Sequence, residues 1–146
     1  MPRQPQRRNR ASPTPVDRKP HSAPSTRERG AACEALAWQH LAAQGYVLVG
    51  RNVRVATGEL DIIALEGEVL CFIEVRSRAR ADFGHPLETI DVPKQQRIAR
   101  AAALWLSSNP HGGPCRFDAV GVLLGMGDAT PTVQLIRGAF VPTRIY

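Results

Sequence analysis

Two carboxylates interrupt apolar stretches of this chain, and their spacing is the first place to look for chemistry. Asp61 lies in Glu59-Leu60-Asp61-Ile62-Ile63-Ala64-Leu65, and Glu74 lies in the segment from Glu68 to Arg76, beyond Glu66-Gly67. Both segments read as strands, and a two-residue break suits a tight hairpin. With Glu66 and Gly67 at the centre of the turn, Asp61 faces Phe72 and Glu59 faces Glu74. Asp61 and Glu74 then become diagonal neighbours on one face, roughly 7 to 8 Å apart at Cα, with Arg76 pointing the same way. Leu60, Ile62 and Ala64 alternate with the acids, while Val69, Cys71, Ile73 and Val75 fill the opposite face of the partner strand. A lone carboxylate in such surroundings is desolvated, so it needs a metal, a guanidinium or several donors. Mg²⁺ takes one or two carboxylates and completes its octahedron with water and phosphate oxygens. An ion so held activates water and stabilises charge on a phosphate in transition. The same spacing also suits an internal network in which Arg76 and Arg78 neutralise Asp61 and Glu74, since structural ion pairs mimic functional sites.

The elements that must position these acids follow from periodicity. From about Arg27 to Gln44, Cys33, Leu36, Ala37, His40 and Leu41 recur at helical steps, and Gly45 ends that helix. A first strand covers 46 to 55 and breaks at Thr57-Gly58. The hairpin strands Glu59 to Leu65 and Glu68 to Arg76 follow, and then an aperiodic loop from Ser77 to Pro86. Asp91 caps a second helix that runs to about Ser108 and buries Ile98, Ala101, Ala102, Trp105 and Leu106. Strands at about Cys115 to Leu124 and Thr132 to Arg137 complete the order αβββαββ. This is an α/β chain with a mixed central sheet flanked by helices, the second helix serving as the crossover between strands.

A length of 146 residues allows one domain, assigned to 27–146. The net charge of +6 comes from residues 1 to 30, where eight basic side chains oppose only Asp17 and Glu28. That stretch also holds six of the twelve prolines and no Leu, Ile, Phe, Trp or Tyr. Residues 1–26 are therefore expected to be a disordered basic arm, either attracting phosphates or simply solubilising. No apolar run approaches the ~20 residues of a membrane span, and no apolar stretch follows the basic N-terminus as in a signal peptide. Cys33, Cys71 and Cys115 are odd in number and widely spaced, which suits a reducing cytoplasm better than a disulfide framework or a zinc ribbon.

Gly58-Glu59-Leu60-Asp61-Ile62-Ile63-Ala64, Phe72-Ile73-Glu74-Val75-Arg76-Ser77-Arg78, Lys94-Gln95 at a helix start and Arg116-Phe117-Asp118-Ala119-Val120 together resemble the YraN-like family of uncharacterised bacterial proteins. The resemblance runs from about Gly30 to Phe140 and includes Gly45-Tyr46 and Ala139-Phe140. It implies a restriction-endonuclease-like fold, similar to archaeal-type Holliday-junction resolvases, whose sites combine a strand acid, a Glu-x-Lys on the next strand and often a helix Glu. Carried over by position, the helix glutamate is Glu34, the strand acid Asp61 and the second acid Glu74, while Arg76 stands where the pattern has lysine. Arginine stays protonated and cannot take a proton from water, although its planar fork can still orient a phosphate.

The resemblance thus implies a metal-dependent nuclease acting on structured or branched DNA with Mg²⁺ or Mn²⁺. Asp61 and Glu74 would be ligands, Glu34 a supporting ligand, Glu59 a reserve ligand and Arg76 a phosphate contact. Arg78, Lys94, Gln95 and Arg97 are candidate nucleic-acid contacts, although a wet helix face explains Lys94, Arg97 and Arg100 equally well. The alternative is a non-catalytic nucleic-acid-binding or partner-binding module that keeps the fold; a homodimer is compatible with either. Asp118 reads as a buried salt-bridge acceptor rather than a ligand. His21, His40, His85 and His111 share no ligand spacing, Trp38 and Trp105 read as core, and no P-loop, GxGxxG or nucleophile elbow occurs.

Overall fold

Ser25 opens the first helix with a reciprocal cap. Its hydroxyl accepts from the Glu28 N–H at 3.2 Å and the Glu28 carboxylate accepts from the Ser25 N–H at 2.6 Å, so two otherwise unsatisfied donors are met. Helix α1 covers Thr26–Ala43 and buries Cys33, Ala37 and Leu41, while Leu36 and His40 from the expected stripe are half-buried. The chain turns at Gly45, whose φ of 92° is left-handed, and enters strand β1, Val47–Val55. Strands β2, Gly58–Glu66, and β3, Val69–Arg78, follow, then helix α2, Val92–Ser108, and strands β4, Cys115–Leu123, and β5, Thr132–Ile136. Asp91 caps α2 through the Lys94 N–H at 2.9 Å. The computed structural model describes residues 23–78, 90–125 and 130–142. Most of the basic arm, the loop segment 79–86 and His21 and His85 lie outside the described residues.

The five strands form one sheet in the order β1-β2-β3-β4-β5. All neighbours are antiparallel except β3 and β4, which α2 joins in parallel. This is the mixed sheet with order αβββαββ that the sequence predicts. β3 extends to Arg78, two residues past the expected end, because the parallel ladder with β4 continues to Arg78↔Leu123. The α2 face packs Ile63, Leu70, Phe72, Phe117 and Ala119 beneath Ile98, Ala101 and Ala102. The α1 face packs Ile62, Ala64, Cys71, Ile73, Val120 and Val122 beneath Cys33, Ala37 and Leu41. Trp105 meets Phe72 edge-on at 6.0 Å, and Phe72 and Phe117 stack at 5.6 Å, as the core reading of Trp105 requires.

Two details of the hairpin differ from the expected register, and both bear on the acids. The turn is Gly67-Glu68 rather than Glu66-Gly67, with Glu66 paired to Val69 and Ile62 to Ile73. Gly67 carries φ +60° at the first turn position, a conformation that costs glycine little and sets the two-residue turn. The expected opposition of Asp61 to Phe72 is therefore wrong by two residues. Because the shift is even, every side chain keeps its face. The pairing ends at Ile62↔Ile73, one residue short of Asp61 and Glu74. The second difference is the alternation of β2. Ile62 and Ala64 pack on the α1 side, but Leu60 joins the α2 cluster. The change of face falls at Asp61, and Asn52 of the neighbouring strand is left-handed there, with φ 49°.

Candidate active site

The ladder between β2 and β3 ends at Ile62↔Ile73, and the next available donor of β3 goes to a side chain instead. The Val75 N–H donates to Asp61 Oδ2 at 2.9 Å. β3 stays in register with β4 through this stretch, so β2 is the strand that departs. The Asp61 carboxyl thus satisfies the freed backbone donor, which holds it beside Glu74.

Glu74 is 5% exposed and sits two residues beyond Phe72, so it points to the α2 side. Arg76 Nε lies 3.5 Å and Lys94 Nζ 3.3 Å from the same oxygen, Glu74 Oε1. Lys94 stands in the first turn of α2, where the helix dipole disfavours a cation, and no acid shares that turn. Glu74 compensates for this placement, and the conflict with local preference marks the position as chosen by the tertiary structure. Burial, then the Glu74 charge, push the Asp61 carboxyl up to about 7, against the Val75 N–H bond and the Lys94 charge. The buried Glu74 and the half-buried Asp61 thus lie together, with Arg76 and Lys94 as the two cations beside them.

The other expected site residues fall elsewhere. Glu34, half-buried on α1, lines a groove of about 350 Å³ with Arg27, Gly30, Ala31, Asn52, Arg54 and Glu59. It does not join Asp61 and Glu74 in a ligand set. Among the described residues no three His, Cys, Asp or Glu side chains come together as a metal cluster. The reason is topological: Glu34 rises from the helix on the α1 face, one residue past the buried Cys33, whereas Glu74 lies on the α2 face. Glu59 is engaged by Arg54 at 3.5 Å, at the exposed edge of the sheet. Gln95 turns its amide to the Ile90 carbonyl at 3.0 Å, a helix-entry bond, and Arg97 is exposed. Arg78 is half-buried at the end of β3, where its carbonyl accepts from the Leu124 N–H at 2.8 Å.

A second cluster, on the α1 face, is fully compensated. Asp118, 0% exposed, accepts from Tyr46 Oη at 3.0 Å, the Gly138 N–H at 2.9 Å, Arg116 Nε at 2.6 Å and Arg116 Nη2 at 2.9 Å. Arg116 also pairs with Glu66, which Arg137 grips through Nε and Nη2. The two guanidiniums hold the Glu66 carboxyl down to about 2. Burial and the Asp118 charge raise the neighbouring Tyr46 hydroxyl, and burial raises the Cys71 thiol to about 12. Asp118 is thus the buried salt-bridge acceptor that the sequence predicts. Its partner Arg116 was legible as the same-face neighbour two residues earlier on one strand; Tyr46, 72 positions away, carried no such signal.

All three cysteines are free, Cys33 and Cys71 buried and Cys115 exposed. No helix among the described residues is long and apolar enough to cross a membrane.

The acid pair, Arg76, Lys94 and the Arg116 to Asp118 cluster all fall within residues 33–122, which match the profile of the uncharacterised protein family UPF0102. A UPF0102 protein of Chlorobaculum tepidum is 52% identical over 95 residues, covering 64% of this chain and 74% of its own. One from Moorella thermoacetica is 44% identical over 115 residues, covering 78% and 96%, and one from Pseudomonas putida is 42% identical over 120 residues, covering 81% and 97%. Matches of this identity and extent, together with the motifs in β2, β3, α2 and β4, place the chain in UPF0102, the YraN-like family.

Proposed function

We propose that this chain is a metal-dependent nuclease that hydrolyses phosphodiester bonds in structured or branched DNA, with Asp61 and Glu74 as the ligands of Mg²⁺ or Mn²⁺. The observation that carries the reading is the acid pair where β2 parts from β3: the Val75 N–H holds Asp61 beside Glu74, and burial, then the Glu74 charge, raise Asp61. A divalent cation fits this donor set: it takes one or two carboxylates, and its charge would ease the repulsion of the Glu74 charge on Asp61. When bound, the ion supplies polarisation of the scissile phosphate and of an attacking water.

The chain's own groups do the rest. Asp61 is held by the Val75 N–H and by a side-chain hydrogen bond with Glu74, which a bound cation would replace. Arg76 presents a planar donor fork beside Glu74 and holds a non-bridging phosphate oxygen. Lys94 adds a compact ammonium from the helix, stabilising charge that grows on the phosphate. Arg78 and Arg97 extend the basic surface along β3 and α2 and neutralise flanking phosphates.

A second reading has its own support. Arg76 and Lys94 both lie within ion-pair distance of one Glu74 oxygen, which is how an internally neutralised acid in a non-catalytic nucleic-acid-binding or partner-binding module would look. Incubation of the purified chain with branched, flapped, single-stranded and duplex DNA in Mn²⁺ separates the two. Cleavage of at least one substrate is expected, abolished by Asp61→Asn and by Glu74→Gln, each of which removes a ligand charge while nearly keeping shape. DNA binding without cleavage, and no calorimetric Mn²⁺ affinity with or without DNA, would establish the module instead.

A further inference from the structure

The sheet has two edges, β1 and β5, and they are finished differently. Strand β5 is five residues long, and its exposed residues are Thr132 and Gln134. Strand β1 runs for nine residues. Its second half carries devices that discourage a further strand, the charged Arg51 and Arg54 with the left-handed Asn52 between them. Its first half carries no charge: Val47, Leu48 and Val49 are 62%, 41% and 44% exposed, three of the six large apolar side chains exposed among the described residues. Such an edge presents backbone donors and acceptors together with apolar side chains, which is what an added strand takes up.

Charge and symmetry select the strand that fits. Two β1 strands side by side in parallel would set Arg51 on Arg51 and Arg54 on Arg54, like charges one strand spacing, about 5 Å, apart. Antiparallel pairing about a two-fold axis at Leu48 carries them in opposite directions, and the two Arg51 Cα atoms then lie about 20 Å apart, well beyond the screening length of about 8 Å. The same axis brings Val47, Leu48 and Val49 of both copies together, because an apolar triplet centred on it reads alike in either direction. Arg51 pairs with Ile62 and so shares the α1 face, and an axis normal to the sheet keeps both α1 helices on that side. Arg51 of one copy thus stands beside residues 45 and 46 of the other, just past Ala43, where α1 ends with its negative dipole and with no lysine or arginine in its last turn. We propose that β1 is the contact through which two copies of this chain associate, antiparallel about Leu48, so that one sheet runs through both. The extra residue at Val49, where pairing with β2 slips between Leu48 and Gly50, keeps the added ladder short, and the dimer is weak. The contact uses none of the acid-pair residues and holds whether or not the chain cleaves DNA.

Sedimentation equilibrium of the full chain, from micromolar to near-millimolar concentration, should show monomer and dimer in exchange. Leu48→Lys should weaken the dimer by about tenfold or more, because the axis doubles the change: each copy loses apolar contact and meets a like charge. Val47→Lys, at the more exposed position, is the second variant should Leu48→Lys not fold, with thermal unfolding as the check. Trapping reads the register. In a Cys115→Ser background, which removes the exposed thiol and leaves Cys33 and Cys71 buried, Leu48→Cys should link two copies when diamide is added as oxidant, since the axis sets the two Cα atoms about 5 to 6 Å apart. Arg54→Cys in the same background should not link, its two Cα atoms being about 40 Å apart. A chain that stays monomeric throughout, a dimer that survives a folded lysine variant, a dimer linked by Arg54→Cys or left unlinked by Leu48→Cys, or growth beyond two copies would each overturn the proposal.

Discussion

Glu74 and Asp118 are the two charged residues buried among the described residues, and they lie almost side by side on β3 and β4, on opposite faces of the sheet. Asp118 has four donated hydrogen bonds from Arg116, Tyr46 and Gly138. Glu74 has two cations at 3.3 and 3.5 Å and a second carboxylate, Asp61, beside it. The first arrangement closes on itself and leaves nothing for a ligand. The second gathers two acids where one would suffice for structure, and burial first, then the Glu74 charge, raise the Asp61 carboxyl against the Val75 N–H bond. The two faces thus hold different arrangements: one carboxylate enclosed by four donors, and two carboxyls sharing two cations, the like-charge grouping that marks a functional candidate.

The strongest challenge to this contrast is Arg116→Ala. It leaves the Asp118 charge buried with only Tyr46 and Gly138 as donors, so unfolding in urea should show a loss of about 3 to 5 kcal/mol, the range for removing one partner of a buried pair. A loss below ~1 kcal/mol would mean that the cluster is not what holds the α1 face together. In the acid pair the large effect should be on activity. Arg76→Ala is expected to lower Mn²⁺-dependent cleavage by about 10²-fold, the scale of one lost transition-state donor, and Arg76→Lys to preserve or raise it. Cleavage undiminished in Arg76→Ala would return Arg76 to the role of a counter-ion.

The two clusters should also respond to pH with opposite sign. Asp61 titrates near 7 folded against ~3.9 unfolded, so without metal its contribution is fully present below about pH 4 and is lost as pH rises through 7. Asp61→Asn removes that loss: its melting temperature should match the unaltered chain at pH 4.5 and exceed it by about 4 °C or more at pH 8. Glu66, near 2 folded against ~4.3 unfolded, contributes above pH 4 and loses that contribution as pH falls toward 2. Glu66→Gln should therefore be less stable than the unaltered chain at pH 7, with the difference closing on acidification. A melting curve for Asp61→Asn parallel to the parent across pH 4.5 to 8 would contradict the raised carboxyl. The smallest effect belongs to Tyr46→Phe, which removes one neutral donor to Asp118 and should cost about 1 kcal/mol of unfolding free energy.

Local signals determined a good deal of this molecule. Apolar periodicity, the Asp91 cap and the strand alternation are short-range properties, and they placed both helices, all five strands and the order αβββαββ to within about two residues at each end. Alternation also brought Asp61, Glu74 and Arg76 to one region, because an even register shift preserves faces. Tertiary structure decided the remainder. Whether Gly67 begins or ends the turn depends on strand twist, and so the two-residue offset of the hairpin register was open in the sequence. The Val75 N–H bond to Asp61 forms where β2 leaves β3 while β3 stays bound to β4, a balance among three strands. Lys94 reaches Glu74 only because the crossover sets the first turn of α2 over β3, and Glu34 is set apart because its helix packs on the other face. Sequence spacing governs what one strand or helix can present; which presentations meet is fixed by packing between elements far apart in the chain.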